Sequence, residues 1–404
     1  MAVPGETAPV TRETVDVLIA GGAVMGSSVA YHLAADRSLR GRVLVVEPDP
    51  TYARAATALS AGSIRQQFST AINVAVSLHG IAFLRRAGAL LAVDGEAPPA
   101  LGLHEGGYLF LATARGVDVL DENHRQQVAL GADIVRLDAD GLRAQFGWLA
   151  TDGIAAGCWG RTGEGWFDGS GLMAAFRAKA RSLGVAYRPA RVVRLVRVGD
   201  RVVGAALDDG TEVTAGTVVV AAGAGSRALA ASAGVALPIH VGRRQVFLFS
   251  CASALEGFPL LVDPTGVWCR PEGPRFIAGL SPDDHEDPDA PDDFTVDRAF
   301  FDDRIWPVLA QRVPAFDALR VERAWAGHYD MNDFDHNAFV GPVPGVEGLL
   351  LASGFSGHGL QQAPAVGRGL AELITHGRYT SLDLSPLAYA RYPDGRPLLE
   401  RNVV

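Results

Sequence analysis

The sequence predicts a two-domain α/β fold: a parallel sheet flanked by helices, and a discontinuous second domain built on an antiparallel sheet. Three observations lead there. Residues 15–47 read as a strand, a glycine-rich turn, a helix and a second strand; residues 218–222 form a second fully apolar strand far along the chain; and residues 236–321 hold alternating or aromatic strands.

The β-branched run VDVLIA (15–20) reads as a strand buried on both faces, and Gly21-Gly22-Ala23-Val24-Met25-Gly26 follows it. Helical spacing through Val29 and Leu33 leads to the apolar run 43–46, which Glu47 ends. This is a Rossmann-like βαβ unit. Its turn sets a helix N-terminus against a pyrophosphate, and the acid, about 20 residues on, hydrogen-bonds an adenosine ribose. Gly21, Ala23, Val24, Met25, Gly26 and Glu47 are therefore candidate cofactor ligands. Ala23 stands where the fingerprint has its second glycine, and its methyl group fits if that residue keeps a negative φ.

Residues 48–69 are rich in small side chains and run from the second strand along the cofactor, where Thr57, Ser60 and Gly62 offer hydroxyls and bare backbone. Arg65, set between Ile64 and Phe68, is expected in a partly buried site position. Residues 71–92 have helical spacing, 106–113 a strand, and 117–130 a polar helix; a further helix after Gly165 takes Asp168 or Ser170 as its N-cap. Lys179 is expected on that helix's solvated face. Strands with turns at Gly199-Asp200 and Asp209-Gly210 follow, beginning with Val192 and Val193 and ending in Ala222 and Gly223; these four are counted with the cofactor-binding residues. The strand 218–222 must be buried on both faces, so it belongs beside the first strand.

The acidic stretch 281–294 reads as a solvated loop, and its Asp283, Asp284, His285 and Asp287 have no metal-ligand spacing. Residues 348–374 comprise a buried strand, a glycine-rich loop and a helix beginning near Gly359. Gly354, Phe355, Ser356, Gly357, His358, Gly359, Leu360 and Gln361 let backbone lie against a flat ligand, and the helix N-terminus favours the negative charge of a reduced isoalloxazine. The chain divides into a cofactor domain of residues 14–92, 151–235 and 323–404 and a substrate domain of 93–150 and 236–322.

A net charge of −9 supplies no basic footprint for nucleic acid or anionic lipid. The arginine- and alanine-rich, lysine-poor composition reads as that of a GC-rich bacterial genome. Cys158, Cys251 and Cys269 lack C-x-x-C spacing and read as reduced, mostly buried thiols. The first fourteen residues have no signal-peptide core, and no apolar run reaches membrane-spanning length, which leads to a cytoplasmic expectation.

With GGAVMG…Glu47, VVVAAGAGS and GFSGHGLQ in place, the chain resembles the D-amino-acid oxidase superfamily of FAD-dependent oxidoreductases, which includes monomeric sarcosine oxidase, glycine oxidase and dimethylglycine dehydrogenase. LSAGSIRQQFS, the glycine-rich loop-helix and LSPLAYARY resemble more narrowly the FAD-dependent oxidoreductase domain-containing subfamily linked to assembly of respiratory complex I. The resemblance implies FAD, and oxidation of a small amine by hydride transfer to flavin N5, with oxygen or another acceptor taking the electrons. It places Tyr329 against substrate and Arg65 beside the flavin. Gly327 stands where sarcosine oxidases carry the cysteine bonded to flavin, which implies non-covalent FAD. Gln361 and Phe68 stand where those enzymes carry a lysine and an arginine for the substrate carboxylate. Arg275 or His328 is a candidate for the positive charge that a lysine supplies to oxygen activation there.

Arg243, Arg244, Gln245 and Arg270 are candidates to hold a carboxylate instead, and His358 is a candidate base or a shaper of the flavin loop. The expected function is oxidation of a secondary or primary amine, of N-substituted, cyclic or D-amino-acid type. The alternatives are an assembly flavoprotein with structural FAD and a specialised biosynthetic oxidase of a bulkier amine.

Overall fold

The computed structural model describes residues 12–36, 38–39, 41–282 and 286–402. Asp283, Asp284 and His285 of the acidic stretch lie outside these residues. The strand Arg12–Ala20 lies in the middle of a sheet because its second half is apolar on both faces: Val17, Leu18, Ile19 and Ala20 are all buried. It pairs in parallel with Val43–Glu47 and with Glu212–Val220, so that Ile19 faces both Val45 and Val219. The sheet runs Phe339–Val343, Val346–Ser353, Arg201–Leu207, Glu212–Val220, Arg12–Ala20, Val43–Glu47, Ala186–Pro189, and Val192–Val198 pairs with Arg201–Leu207. Val346–Ser353 also pairs in parallel with Glu212–Val220. The expected pairing of residues 218–222 beside the first strand is thus present.

Four helices, Val24–Ala35, Ala71–Leu84, Gly169–Ser182 and Gly359–His376, bury their apolar residues against one face of this sheet, where Val29, Leu33, Val76, Phe176, Val366 and Leu370 meet Val17, Ile19 and Val45. Asp168 caps Gly169–Ser182 by accepting from the Gly171 N–H at 2.8 Å. The helical spacing over 71–92 is broken after Leu84, and a short second helix, Ala87–Leu90, follows. Lys179 is half-buried rather than solvated: its ammonium donates to the Ala92 carbonyl at 2.6 Å and fastens the end of that segment.

The second sheet runs Arg320–Asn332, Ile239–Ser250, Arg275–Gly279, Trp268–Glu272, Leu260–Val262, Tyr108–Ala112, Ala156–Gly160, Ile134–Asp138. Its core is aromatic, with Phe247, Phe249, Phe276, Phe301 and Phe316 in one cluster. Two strands shift the sequence-based boundaries. Ala156–Gly160 follows residue 150 yet pairs with Tyr108–Ala112 and Ile134–Asp138, and Arg320–Asn332 crosses residue 322 without interruption. In both, ladder hydrogen bonds outweigh the local change of composition. No described helix is long and apolar enough to cross a membrane.

After the helix Gly359–His376 the chain returns to the junction of the two sheets, where Glu400 is fully buried. Its carboxylate accepts from the N–H and hydroxyl of Ser69, both at 2.7 Å, from those of Thr70 at 3.2 and 2.9 Å, and from the Asn73 amide at 3.0 Å. Thr70 is the N-cap of Ala71–Leu84 and caps it with no side-chain bond of its own, so a remote anion completes this helix end. Glu400→Ala leaves these donors unsatisfied and should lower unfolding stability by about 2–4 kcal/mol. Urea denaturation checks this, and an unchanged midpoint would show the tail to be dispensable.

Candidate active site

Gly21 has φ 101°, and a Cβ there would lie 2.3 Å from the Ala221 carbonyl oxygen, so the turn requires glycine where the two parallel strands end. Ala23 keeps the expected negative φ, −68°, as the N-cap of Val24–Ala35. That helix has neither a side-chain cap nor an acid in its first turn, which leaves an uncapped positive end for an anion. Glu47, at the end of its strand, accepts from the N–H of Gly22 at 2.8 Å and of Asp49 at 3.0 Å. Burial raises its pKa against those bonds. Thr57 accepts weakly from the Val24 N–H at 3.4 Å, and Ser60 accepts from the Gly62 N–H at 3.1 Å. Ala222 and Gly223 follow the strand beside Gly21. Val192 packs on the core, whereas Val193 is 50% exposed.

The glycine-rich loop lies where the first sheet meets the second. Gly354 donates to the Asp330 carboxylate at 2.7 Å, and Ser356, with a φ of 48°, donates its N–H to the Asp330 carbonyl at 3.1 Å. Burial pushes Asp330 up to about 6, even with backbone N–H groups of the loop favouring its charge. The residue before it on the same strand is the candidate Tyr329: a Cβ on Gly357 would lie 2.3 Å from its ring. Phe355 and Leu360 are buried in the helical core beneath the loop, and Gly359 begins the helix. Burial raises the Tyr329 phenol, so it remains a neutral donor.

Arg65 is only 2% exposed, contrary to a surface position. Its guanidinium donates to the carbonyls of Gln67 and Asn402 and to His358 Nε2 at 3.2 Å, and lies over the Phe68 ring at 4.0 Å. An imidazole nitrogen that accepts from arginine is unprotonated, and burial together with Arg65 holds His358 well below the ordinary histidine range. Gln361 is occupied within the chain: its amide oxygen accepts from the Arg65 N–H at 2.9 Å and the Ser77 hydroxyl at 3.2 Å.

The structure decides strand parity for the arginines. Arg244 and Arg270 point inward and are 7% and 5% exposed, whereas Arg243 turns out to Asp293 and Thr295, and Arg275 pairs at the surface with Glu322. Neither inward arginine is free. Arg244 is paired with Asp287, and Arg270 with Glu272 and the Ala61 carbonyl. The acidic stretch is therefore not simply solvated: Asp287, Asp289 and Asp293 answer cations of the neighbouring strand and helix. A cavity beside Tyr329 is bounded by Leu59, Ser60, Ala61, Arg244, Trp268 and Gly327. His328 also borders it, with Nε2 2.9 Å from the Asp293 carbonyl oxygen. No cluster of metal-binding type occurs among the described residues.

Sequence reasoning missed Glu164. It is fully buried and accepts from the N–H groups of Gln66 and Gln67 and from the Gln67 amide at 2.8 Å, which orients the Gln67 carbonyl that receives Arg65. Its one signal is its place between Gly163 and Gly165, both at positive φ.

The description "FAD dependent oxidoreductase" belongs to a family model that matches residues 16–373. The chain belongs to this family. Xenopus laevis FAD-dependent oxidoreductase domain-containing protein 1 is 40% identical over 98% of this chain and 86% of its own length. Among solved structures, L-proline dehydrogenase from P. horikoshii matches 96% of this chain and 100% of its own with a TM-score of 0.83 at 24% identity. Glycine oxidase from Geobacillus kaustophilus matches 93% and 98% at 0.78 and 23%, which shows the shared fold. The expected bacterial character is corrected: relatives spanning at least 96% of this chain come from frog, ox, mouse and fly. Arginine and lysine carry the same charge, so at solvated positions a preference between them says nothing of lineage.

Burial is the largest influence on Glu164 and raises it from 4.5 to about 7, against the hydrogen bonds of Gln67 and Gln66 and the charge of Arg65. The folded state holds this proton more tightly than the unfolded one. The group therefore favours folding below the ordinary carboxylate range, and that contribution is lost as pH rises to about 7. Glu164→Gln should flatten the stability profile across that window by ~3 kcal/mol relative to the parent. Parallel denaturation profiles for the two proteins would assign the titration elsewhere.

Proposed function

We propose that this FAD-dependent oxidoreductase oxidises a secondary or primary amine to an imine. The observation that supports this best is the buried junction of the two sheets, where Tyr329 lies on Gly357 and Arg65 is fixed beside the same loop. The residues fit FAD: the uncapped helix at Val24 for the pyrophosphate, Glu47 for the ribose, and Gly354 to Gln361 for the flat ring. FAD, when bound, supplies the hydride acceptor.

The chain's own residues bind and orient the substrate. Only a neutral amine has the nitrogen lone pair that assists C–H cleavage, and a pocket walled by Leu59, Trp268 and Tyr329 favours that form over an ammonium. The neutral Tyr329 phenol supplies a hydrogen bond to position it. Arg65, tethered by carbonyls, places a fixed positive charge against the loop.

FAD is held without a covalent bond. Gly327 has no side chain to offer, a Cβ there would lie 2.9 Å from Leu59 Cβ, and the cysteines lie elsewhere, Cys158 and Cys269 on other strands and Cys251 just after the strand Ile239–Ser250.

Acid precipitation should accordingly leave yellow cofactor in the supernatant, and colour that stays with the pellet would overturn the non-covalent reading. Anaerobic addition of N-methyl, cyclic, D- and bulky amines should bleach the flavin with at least one compound. FAD that dithionite reduces but no amine bleaches would refute amine oxidation. Given a reactive amine, Tyr329→Phe should slow bleaching by about tenfold or more with an unchanged resting spectrum. Arg65→Ala should shift that spectrum as well; equal, negligible effects would remove both residues from the site.

A further inference from the structure

The cavity beside Tyr329 has an arginine in its wall, yet the protein itself has already supplied the anion. Arg244 Nη1 and Nη2 lie 2.9 and 2.6 Å from the two carboxylate oxygens of Asp287, and the two side chains are only 8% and 4% exposed. The strand is shaped to hold this pair. Gly242, two residues before Arg244 on the same face, faces Tyr329 across the ladder, and a Cβ there would lie 2.8 Å from Arg244 Nη1 and 3.0 Å from Asp287 Oδ2. Arg244 also lies over the Tyr329 ring at 5.3 Å, while its buried Nε has no hydrogen-bond partner. Asp287 is held from its other side by His240 Nε2 at 3.0 Å. Burial works against its charge, but His240 and Arg244 together keep it below the ordinary carboxylate range.

The other inward cations also have partners within the chain. Arg270 is paired with Glu272 and carbonyl oxygens, and Arg65 is bound to the carbonyls of Gln67 and Asn402. A substrate carboxylate entering this cavity would lose its hydration and then compete with an intramolecular carboxylate that is already bidentate.

We propose that Asp287 is a specificity-determining residue: by filling the anion seat of Arg244 it directs the site to amines that are uncharged at that end, and away from amino-acid carboxylates. This rests on the amine-oxidising reading and names its substrate class. Asp287 acts on substrate through Arg244, and removing its charge converts Arg244 into a carboxylate receptor whose Nε supplies a further donor.

The test uses the FAD-bound protein and two unreactive ligands of one shape, benzoate and benzamide, titrated against the visible flavin spectrum. It requires no turnover, so failure of amine oxidation leaves it intact. The parent should bind benzamide at least as tightly as benzoate. Asp287→Asn should tighten benzoate by about tenfold or more, leave benzamide within about twofold, and regain with benzoate the thermal stability that the substitution removes. Adding Arg244→Gln should abolish the gain. A parent that prefers benzoate about tenfold, or an Asp287→Asn protein with no gain or no response to benzoate, overturns the proposal. If Asp287→Asn fails to fold, the parent's benzoate-to-benzamide ratio decides alone.

Discussion

The parallel pairing of Arg12–Ala20 with Glu212–Val220 is the constraint on which the rest of the molecule depends. It brings Gly21 against the Ala221 carbonyl so closely that no side chain fits between them, and from that point the helix Val24–Ala35 is aimed. The same ladder carries Val346–Ser353 on its other side and so fixes where the glycine-rich loop begins. The glycine turn and the glycine-rich loop thus both leave one set of backbone hydrogen bonds, which fixes where each begins.

At the junction of the sheets the organising problem is charge without water. Arg65, Glu164 and Glu400 are all buried, yet none is satisfied mainly by a single opposite ion. Glu164 and Glu400 take N–H and hydroxyl donors, and Arg65 takes carbonyls. Backbone and hydroxyl partners spread the cost of burying an ion over several groups that are already ordered. In the second sheet the solution differs, since Arg244 and Arg270 are neutralised by carboxylates. The contrast separates a half of the site whose ions are held by backbone and hydroxyl groups from a half whose arginines are held by carboxylates.

Much of this was legible in the sequence because the informative pattern was local. Turn and acid marked a strand–turn–helix–strand unit that the structure contains, and the φ of Ala23 is the one its methyl group needed. The apolar strand at 218–222 could only lie inside a sheet. What escaped was long-range. Arg243 and Arg244 are neighbours of identical chemistry, and only the register with Arg320–Asn332 decides which points inward. Asp287 is one acid among many in its stretch, and its burial depends on how that stretch lies across Ile239–Ser250. Glu164, Glu400 and Asn402 lie in short irregular segments, so no periodicity marks them.

The interleaving of segments has a consequence for biosynthesis. The strand Arg12–Ala20 leaves the ribosome with two bare edges, and its partner Glu212–Val220 follows only after most of the second sheet's first half has been made. At ~5–20 residues per second this apolar strand stays incompletely paired for on the order of ten seconds or more. The sheet closes later still, when Val346–Ser353 arrives. A nascent chain of this architecture is therefore exposed to edge-to-edge association throughout its synthesis, and a ligand gripping Gly21, Glu47 and Gly354 together stabilises only the finished chain.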